Sequence, residues 1–141
     1  MKLIRGLHNL ARYRDSAHWD GDCVLTIGNF DGVHFGHRLI LRHVVAQAQA
    51  RGLVSRVLIF EPQPMEYFGG KQAPARLTTF QEKVRRLLAC GVNSVVCLRF
   101  DEYLRTMEAE SFVSELLVDK LSVKKLIIGD DFCFEIGRAH V

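Results

Sequence analysis

The sequence predicts an α/β protein, an open parallel sheet with helices on both faces. Two observations predict it. Four short apolar runs recur along the chain: Val24-Leu25-Thr26-Ile27, Val57-Leu58-Ile59-Phe60, Val95-Val96-Cys97-Leu98 and Leu126-Ile127-Ile128. Each is nearly continuous rather than alternating, as strands buried on both faces of a parallel sheet are. The gaps between them are also long enough for a crossover helix in each, and right-handed strand–helix–strand units build such sheets.

The helices read in order. Over residues 37–51, Leu41, Val44, Val45 and Ala48 repeat on one face, and Gly52 supplies a stop. Thr79-Phe80-Gln81-Glu82 fits a capping box. Phe80, Val84, Leu87 and Leu88 then form a stripe that Gly91 ends. A third helix is expected over 109–118, burying Phe112, Val113, Leu116 and Leu117. Two segments look irregular. Residues 61–78 hold Pro62, Pro64 and Pro74 with Gly69-Gly70, and residues 129–134 come after the last apolar run. Both leave the C-terminal ends of strands, where open α/β sheets bind ligands.

Composition narrows the function. A net charge of +3 does not call for nucleic acid and suits a small anionic substrate. No apolar run approaches a membrane span, and the first residues lack a secretory signal. A cytoplasmic protein with small-molecule partners and no membrane or nucleic-acid partner is the expectation. Cys23, Cys90, Cys97 and Cys133 form no CxxC pair, which argues for reduced thiols and against a zinc site. Cys97 reads as a core residue. His8, His18 and His43 read as surface residues.

The chemistry concentrates in Gly28-Asn29-Phe30-Asp31-Gly32-Val33-His34-Phe35-Gly36-His37. A buried strand enters it, and a helix is expected to begin at about His37. A helix N-terminus aims backbone N–H groups and a positive dipole at an anion. Glycines let that backbone turn sharply and approach a phosphate. His34 and His37 are spaced to face the same way. Neither a GxGxxG fingerprint nor a GxxxxGK[ST] loop is present.

His34-Phe35-Gly36-His37 resembles the His-x-Gly-His signature of the nucleotidyltransferase superfamily. The whole decapeptide resembles the GxFDGxHxGH block of prokaryotic FAD synthetases. Phe60-Glu61-Pro62-Gln63-Pro64, Ala75-Arg76-Leu77-Thr78 and Gly129-Asp130-Asp131-Phe132-Cys133-Phe134 come next in the family's order, and Lys2-Leu3-Ile4-Arg5-Gly6 also fits. The resemblance implies a Rossmann-like nucleotidyltransferase fold, here incomplete at the C-terminus. It implies transfer of AMP from ATP to FMN, giving FAD and pyrophosphate with Mg²⁺. His34 and His37 would be the catalytic pair on the ATP phosphates. Gly28, Asn29, Phe30, Gly36 and Asp131 would contact ATP. Phe60, Phe68 and Phe134 would lie near the flavin ring, and Arg76 would meet the FMN phosphate. No side chain is assigned as a metal ligand. Gln63 stands where many relatives carry His, so it is given no proton-transfer role. Asp31 could shape the turn rather than touch substrate.

The alternatives are another His-x-Gly-His nucleotidyltransferase, or a non-catalytic nucleotide- or flavin-binding remnant. Family members continue into an Ile-Ser-Ser-Thr-x-x-Arg-like motif and then a riboflavin kinase domain. This chain contains neither. Residues 1–135 are therefore expected to be a partial FMN adenylyltransferase domain, inactive by itself. Residues 136–141 can be encoded by ATC GGA AGA GCA CAC GTC, a common sequencing-adapter string. The expectation is that this tail is read-through artefact.

Overall fold

The computed structural model describes residues 2–69, 78–129 and 132–135. Six strands form one sheet: β1 (Lys2–Arg5), β2 (Cys23–Ile27), β3 (Val54–Phe60), β4 (Ser94–Leu98), β5 (Val123–Ile128) and β6 (Phe132–Glu135). Their spatial order is β1-β4-β3-β2-β5-β6. The first five are parallel, and β6 runs antiparallel to β5 with Ile128 opposite Phe132. The expected open parallel sheet is present, with two additions at its edges. Strand β1 is short and carries Lys2 and Arg5 at its ends, so it lacks an apolar run. Charged edge strands of this kind resist pairing with a second chain. Strand β6 begins inside the segment expected to be irregular and ends one residue beyond it.

Apolar runs arise from coverage on both faces. Leu58, Phe60, Val96 and Leu98 face one layer, with Leu10, Leu116, Leu117 and Leu126. Val57, Ile59, Val95 and Cys97 face the other, with Phe30, Leu41, Val84 and Leu87. Successive strand side chains alternate between the two layers, and each layer is apolar. Helix α1 (Gly6–Arg14) covers the first face, joined later by residues 112–120. Helices α2 (Phe35–Arg51) and, further on, Phe80–Ala89 cover the second.

Helix α2 begins two residues before the expected start, because His34 is its N-cap. It ends at Gly52, whose φ of 68° is left-handed. The segment after β3 is not wholly irregular: α3 spans Pro64–Gly69. Helix α4 (Phe80–Ala89) has the expected capping box. Thr79 Oγ1 accepts from the Glu82 N–H at 3.1 Å, and the Glu82 carboxylate reaches back to the Thr79 N–H at 3.3 Å. A short α5 (Glu102–Arg105) comes after β4. The third expected helix is an α-helical turn, α6 (Ala109–Ser111), continued by a π-helix over Phe112–Lys120. Wider winding buries Leu116 and Leu117 but leaves Phe112 and Val113 only half-buried. No helix among the described residues is long and apolar enough to cross a membrane.

Strand β2 is the topological switch. The chain leaves it to β3 on one side and returns to β5 on the other. Ligands of such sheets bind at the C-terminal ends of the strands flanking that point. The turn after β2 lies there.

Candidate functional site

The turn from Gly28 to His34 is wound tightly. Phe30 (φ 52°), Gly32 (φ 80°) and Val33 (φ 43°) are all left-handed. Such a conformation costs a non-glycine residue roughly 1–3 kcal/mol and persists only where surrounding contacts determine it. Phe30 and Val33 are both buried, at 4% and 1% exposure, and that burial is one determinant. Gly28 is required by close approach: a Cβ there would lie 2.9 Å from Phe30 Cε2. The Phe30 ring in turn meets the His37 ring edge-on, with centroids 5.1 Å apart.

His34 and His37 cap the helix with their own side chains. His34 Nδ1 accepts from the Gly36 N–H at 3.1 Å. His37 Nδ1 accepts from the His34 N–H at 3.2 Å. The two rings stack with centroids 3.6 Å apart and planes 24° apart. An imidazole that accepts at Nδ1 carries its proton on Nε2 when neutral. Two Nε2–H donors therefore lie on the far sides of the stacked rings from the backbone they cap. Gly36 stays small because a Cβ would come 3.1 Å from His34 Cε1. Burial holds the His37 pKa below its usual 6.5, and the His34 charge adds to the effect. Lys83 acts the same way, while Asp31 opposes it. His37 is thus neutral near pH 7.

Four backbone N–H groups of the turn have partners inside the chain: Gly32 donates to Thr78 Oγ1, Val33 to the Phe30 carbonyl, His34 to His37 and Gly36 to His34. The imidazole Nε2–H groups are donors that these four amides are not.

A second cluster stands at the end of β3. Phe60, 9% exposed, packs in the core and meets Phe100 edge-on at 5.8 Å. Phe100 also meets Tyr67 at 5.3 Å and Phe68 at 5.7 Å, and Phe68 is 65% exposed. The Tyr67 hydroxyl donates to Glu102 at 2.9 Å, tying α3 to α5. These rings form an apolar shelf. A recess of about 500 Å³ lies nearby, lined by Arg5, Gly6, Glu61, Pro62, Cys97 and Arg99.

The structure thus brings Gly28, Asn29, Phe30, His34, Gly36 and His37 into one turn, and Phe60 and Phe68 into the shelf. Arg76 and Asp131 lie outside the described residues, as does the tail 136–141. Phe134 is on β6, described by its backbone alone. Sequence reasoning missed Tyr67, Phe100 and the contact of Thr78 with the turn. Parallel register could have found Phe100: Phe60 pairs with Leu98, so Phe100 continues past β4 on the same side. His8, His18 and His43 are exposed, and Cys97 is buried, as the sequence predicts. Among the described residues no three His, Cys, Asp or Glu side chains gather as a metal site.

The family model described as FAD synthetase matches residues 16–140. Bifunctional riboflavin kinase/FMN adenylyltransferases are similar to the chain. That of Escherichia coli (strain K12) is 52% identical over 138 residues, covering 98% of this chain and 42% of that protein. That of Haemophilus influenzae is 47% identical, covering 98% of this chain and 43% of that protein. That of Buchnera aphidicola subsp. Schizaphis graminum is 38% identical with 98% and 42% covered. The chain spans less than half the length of these relatives. A solved structure described as a macrolide-efflux protein from Streptococcus pneumoniae matches with TM-score 0.71 at 20% identity, covering 96% of this chain and 50% of that one. A likeness at that identity shows the fold alone.

Proposed function

The chain belongs to the FAD synthetase family, and on that premise we propose that it is the nucleotide-binding part of an FMN adenylyltransferase. The observation that carries the reading is the stacked His34–His37 pair, each ring anchored through Nδ1. Its Nε2–H groups would hold the ATP phosphates. A phosphate oxygen of FMN attacks the α-phosphorus of ATP. The bond from that phosphorus to the bridging oxygen breaks, and pyrophosphate leaves with its electron pair. AMP remains on FMN as FAD. Negative charge grows on the α-phosphate and on the leaving group. Two preorganised donors stabilise it without moving a proton.

Gly28, Asn29 and Phe30 would border the nucleotide by backbone, with Gly36 and Asp131 completing the ATP contacts. The shelf of Phe60 and Phe68, extended by Tyr67 and Phe100, suits one face of the flavin ring. Phe134 would add to it, and Arg76 would meet the FMN phosphate. The donor set suits Mg²⁺ arriving on the triphosphate, since that ion keeps waters and needs few carboxylates. When bound it would neutralise phosphate charge. Partners are then the small molecules ATP and FMN in a cytoplasmic setting, with neither nucleic acid nor membrane involved.

The test compares the purified chain with a full-length protein that carries it, each given ATP, FMN and Mg²⁺. FAD and pyrophosphate should form with the full-length protein. The chain, which spans less than half the length of its similar relatives, should bind ATP without turnover. Failure of the full-length protein to make FAD would falsify the reading.

A further inference from the structure

We propose that Asp31 and Thr78 are positioning residues: they bolt the end of the segment after α3 to the turn and so aim the His34–His37 pair. The proposal rests on the reading of that pair as the phosphate-binding groups. Four hydrogen bonds carry it. The Asp31 carboxylate accepts from both the Thr78 N–H, at 3.0 Å, and the Thr78 hydroxyl, at 2.9 Å. The same hydroxyl oxygen accepts from the Gly32 N–H at 3.2 Å. From α4, the Arg86 guanidinium donates to the Gly32 carbonyl at 3.2 Å. The peptide groups on both sides of Gly32 are therefore held by partners from residues 78 and 86.

Gly32 leads directly into the catalytic pair. It and Val33 are left-handed at φ 80° and 43°, and His34 is the next residue. A valine gives up its left-handed conformation readily when nothing enforces it. Relaxation of either residue rotates the peptide leading into His34. The His34 N–H then no longer aims at His37 Nδ1, and the stack loses its shared anchor. Thr78 is 6% exposed and precedes Thr79, the N-cap of α4. One hydroxyl thus links the starts of two helices that pack on the same face of the sheet. It donates in one direction and accepts from another. Serine can do both, and valine, of nearly the same shape, can do neither.

The experiment uses the ¹⁵N-labelled chain. Imidazole nitrogen shifts report which ring nitrogen carries the proton, and calorimetry with ATP reports affinity. Wild type and Thr78→Ser should both show Nδ1 of each ring as a bare acceptor, with the proton on Nε2, as the hydrogen bonds to the His34 and Gly36 N–H groups require. Thr78→Val should remain folded, show mixed tautomers, and bind ATP about tenfold more weakly, the scale of one lost hydrogen bond. Asp31→Ala should shift the tautomers the same way. A folded Thr78→Val chain with wild-type tautomers and ATP affinity would overturn the proposal. If that variant does not fold, Asp31→Ala decides by the same readout. Loss of fold in both would also overturn it, since the bolt would then support the fold rather than the aim. A wild-type chain that ignores ATP would sink the parent reading, while the tautomer comparison still decides this one.

Discussion

The two segments that leave β2 and β3 are built in opposite ways. The turn after β2 is held by directed hydrogen bonds, with Gly32, Val33, His34 and Gly36 each donating inside the chain. The shelf after β3 is held chiefly by rings meeting edge-on, with a single hydrogen bond from Tyr67 to Glu102 beside them, and one of the rings, Phe68, is largely exposed. Hydrogen bonds demand a narrow range of angles, whereas apolar contact is non-directional. A group that must meet developing charge needs the first kind of support. A surface that receives a flat ring can work with the second. The C-terminal ends of two neighbouring central strands therefore carry one preorganised region and one adaptable one.

If the shelf receives the flavin as proposed, breaking it should separate a structural part from a binding part. Phe60→Ala removes a ring that is 9% exposed, and should cost about 3–5 kcal/mol of stability. Phe68→Ala removes one that is 65% exposed, and should leave stability within about 0.5 kcal/mol. FMN affinity should nevertheless fall in Phe68→Ala while ATP affinity holds. Urea melts and calorimetry with each ligand check this. Equal weakening of both ligands would mean that the shelf supports the fold and not the flavin.

Next in size is the turn. His34→Ala or His37→Ala, in a full-length protein carrying this segment, should raise the barrier to FMN adenylylation by about 2.7–4 kcal/mol. Riboflavin phosphorylation by the same protein should persist. Near-wild-type FAD formation in both variants would show that the stacked pair does not touch the reacting phosphates.

A smaller effect tests whether the turn is as tightly determined as its contacts imply. Gly28→Ala places a Cβ 2.9 Å from the Phe30 ring. That ring is buried and supports His37, so it cannot swing away without disturbing the pair. Overpacking of this kind costs roughly 1–3 kcal/mol. Thermal melts should show the loss, and the His37 ring resonances should shift with it. A variant as stable as wild type would mean that the turn has room to adapt.

Much of this is legible in the sequence, for identifiable reasons. β2, β3 and β4 announce themselves because both faces of the sheet are covered, so Val57 and Leu58 are both buried. Helix α4 is legible from Thr79 and Glu82, whose capping is local chemistry. β1 is not, because its four residues gain their place only by pairing with β4. The π-helix keeps a helical apolar pattern, so its wider winding leaves no mark at that level. In the site, the spacing of His34 and His37 predicts that they face together. Their use as caps is hidden, since histidine is not among the preferred N-cap residues. The Thr78 bolt joins residues 46 or more apart in sequence. No local pattern encodes such a contact.

The smallest prediction sharpens the comparison through pH. Burial lowers the His37 pKa below 6.5, with the His34 charge contributing next. In the unfolded chain His37 should titrate near its ordinary value, so below about 6.5 the unfolded state binds more protons than the folded one. Stability from this group is therefore present above about 6.5 and is lost as pH falls towards the folded pKa. A protonated Nδ1 can no longer accept from the His34 N–H, so the pair should loosen over the same range. The shelf should not respond. Glu102 is held below 4.5, first by its hydrogen bond to Arg105, and Tyr67 is held above 10, first by its hydrogen bond to Glu102. Neither changes charge between about pH 5 and 8. His37→Asn offers an amide oxygen as acceptor and does not titrate. Melts of wild type and His37→Asn from about pH 8 to 5 should converge in slope above about 6.5 and diverge below it, wild type falling faster. Parallel curves throughout would show that His37 is as accessible to protons in the folded chain as in the unfolded one, and that the turn is looser than the shelf it is compared with.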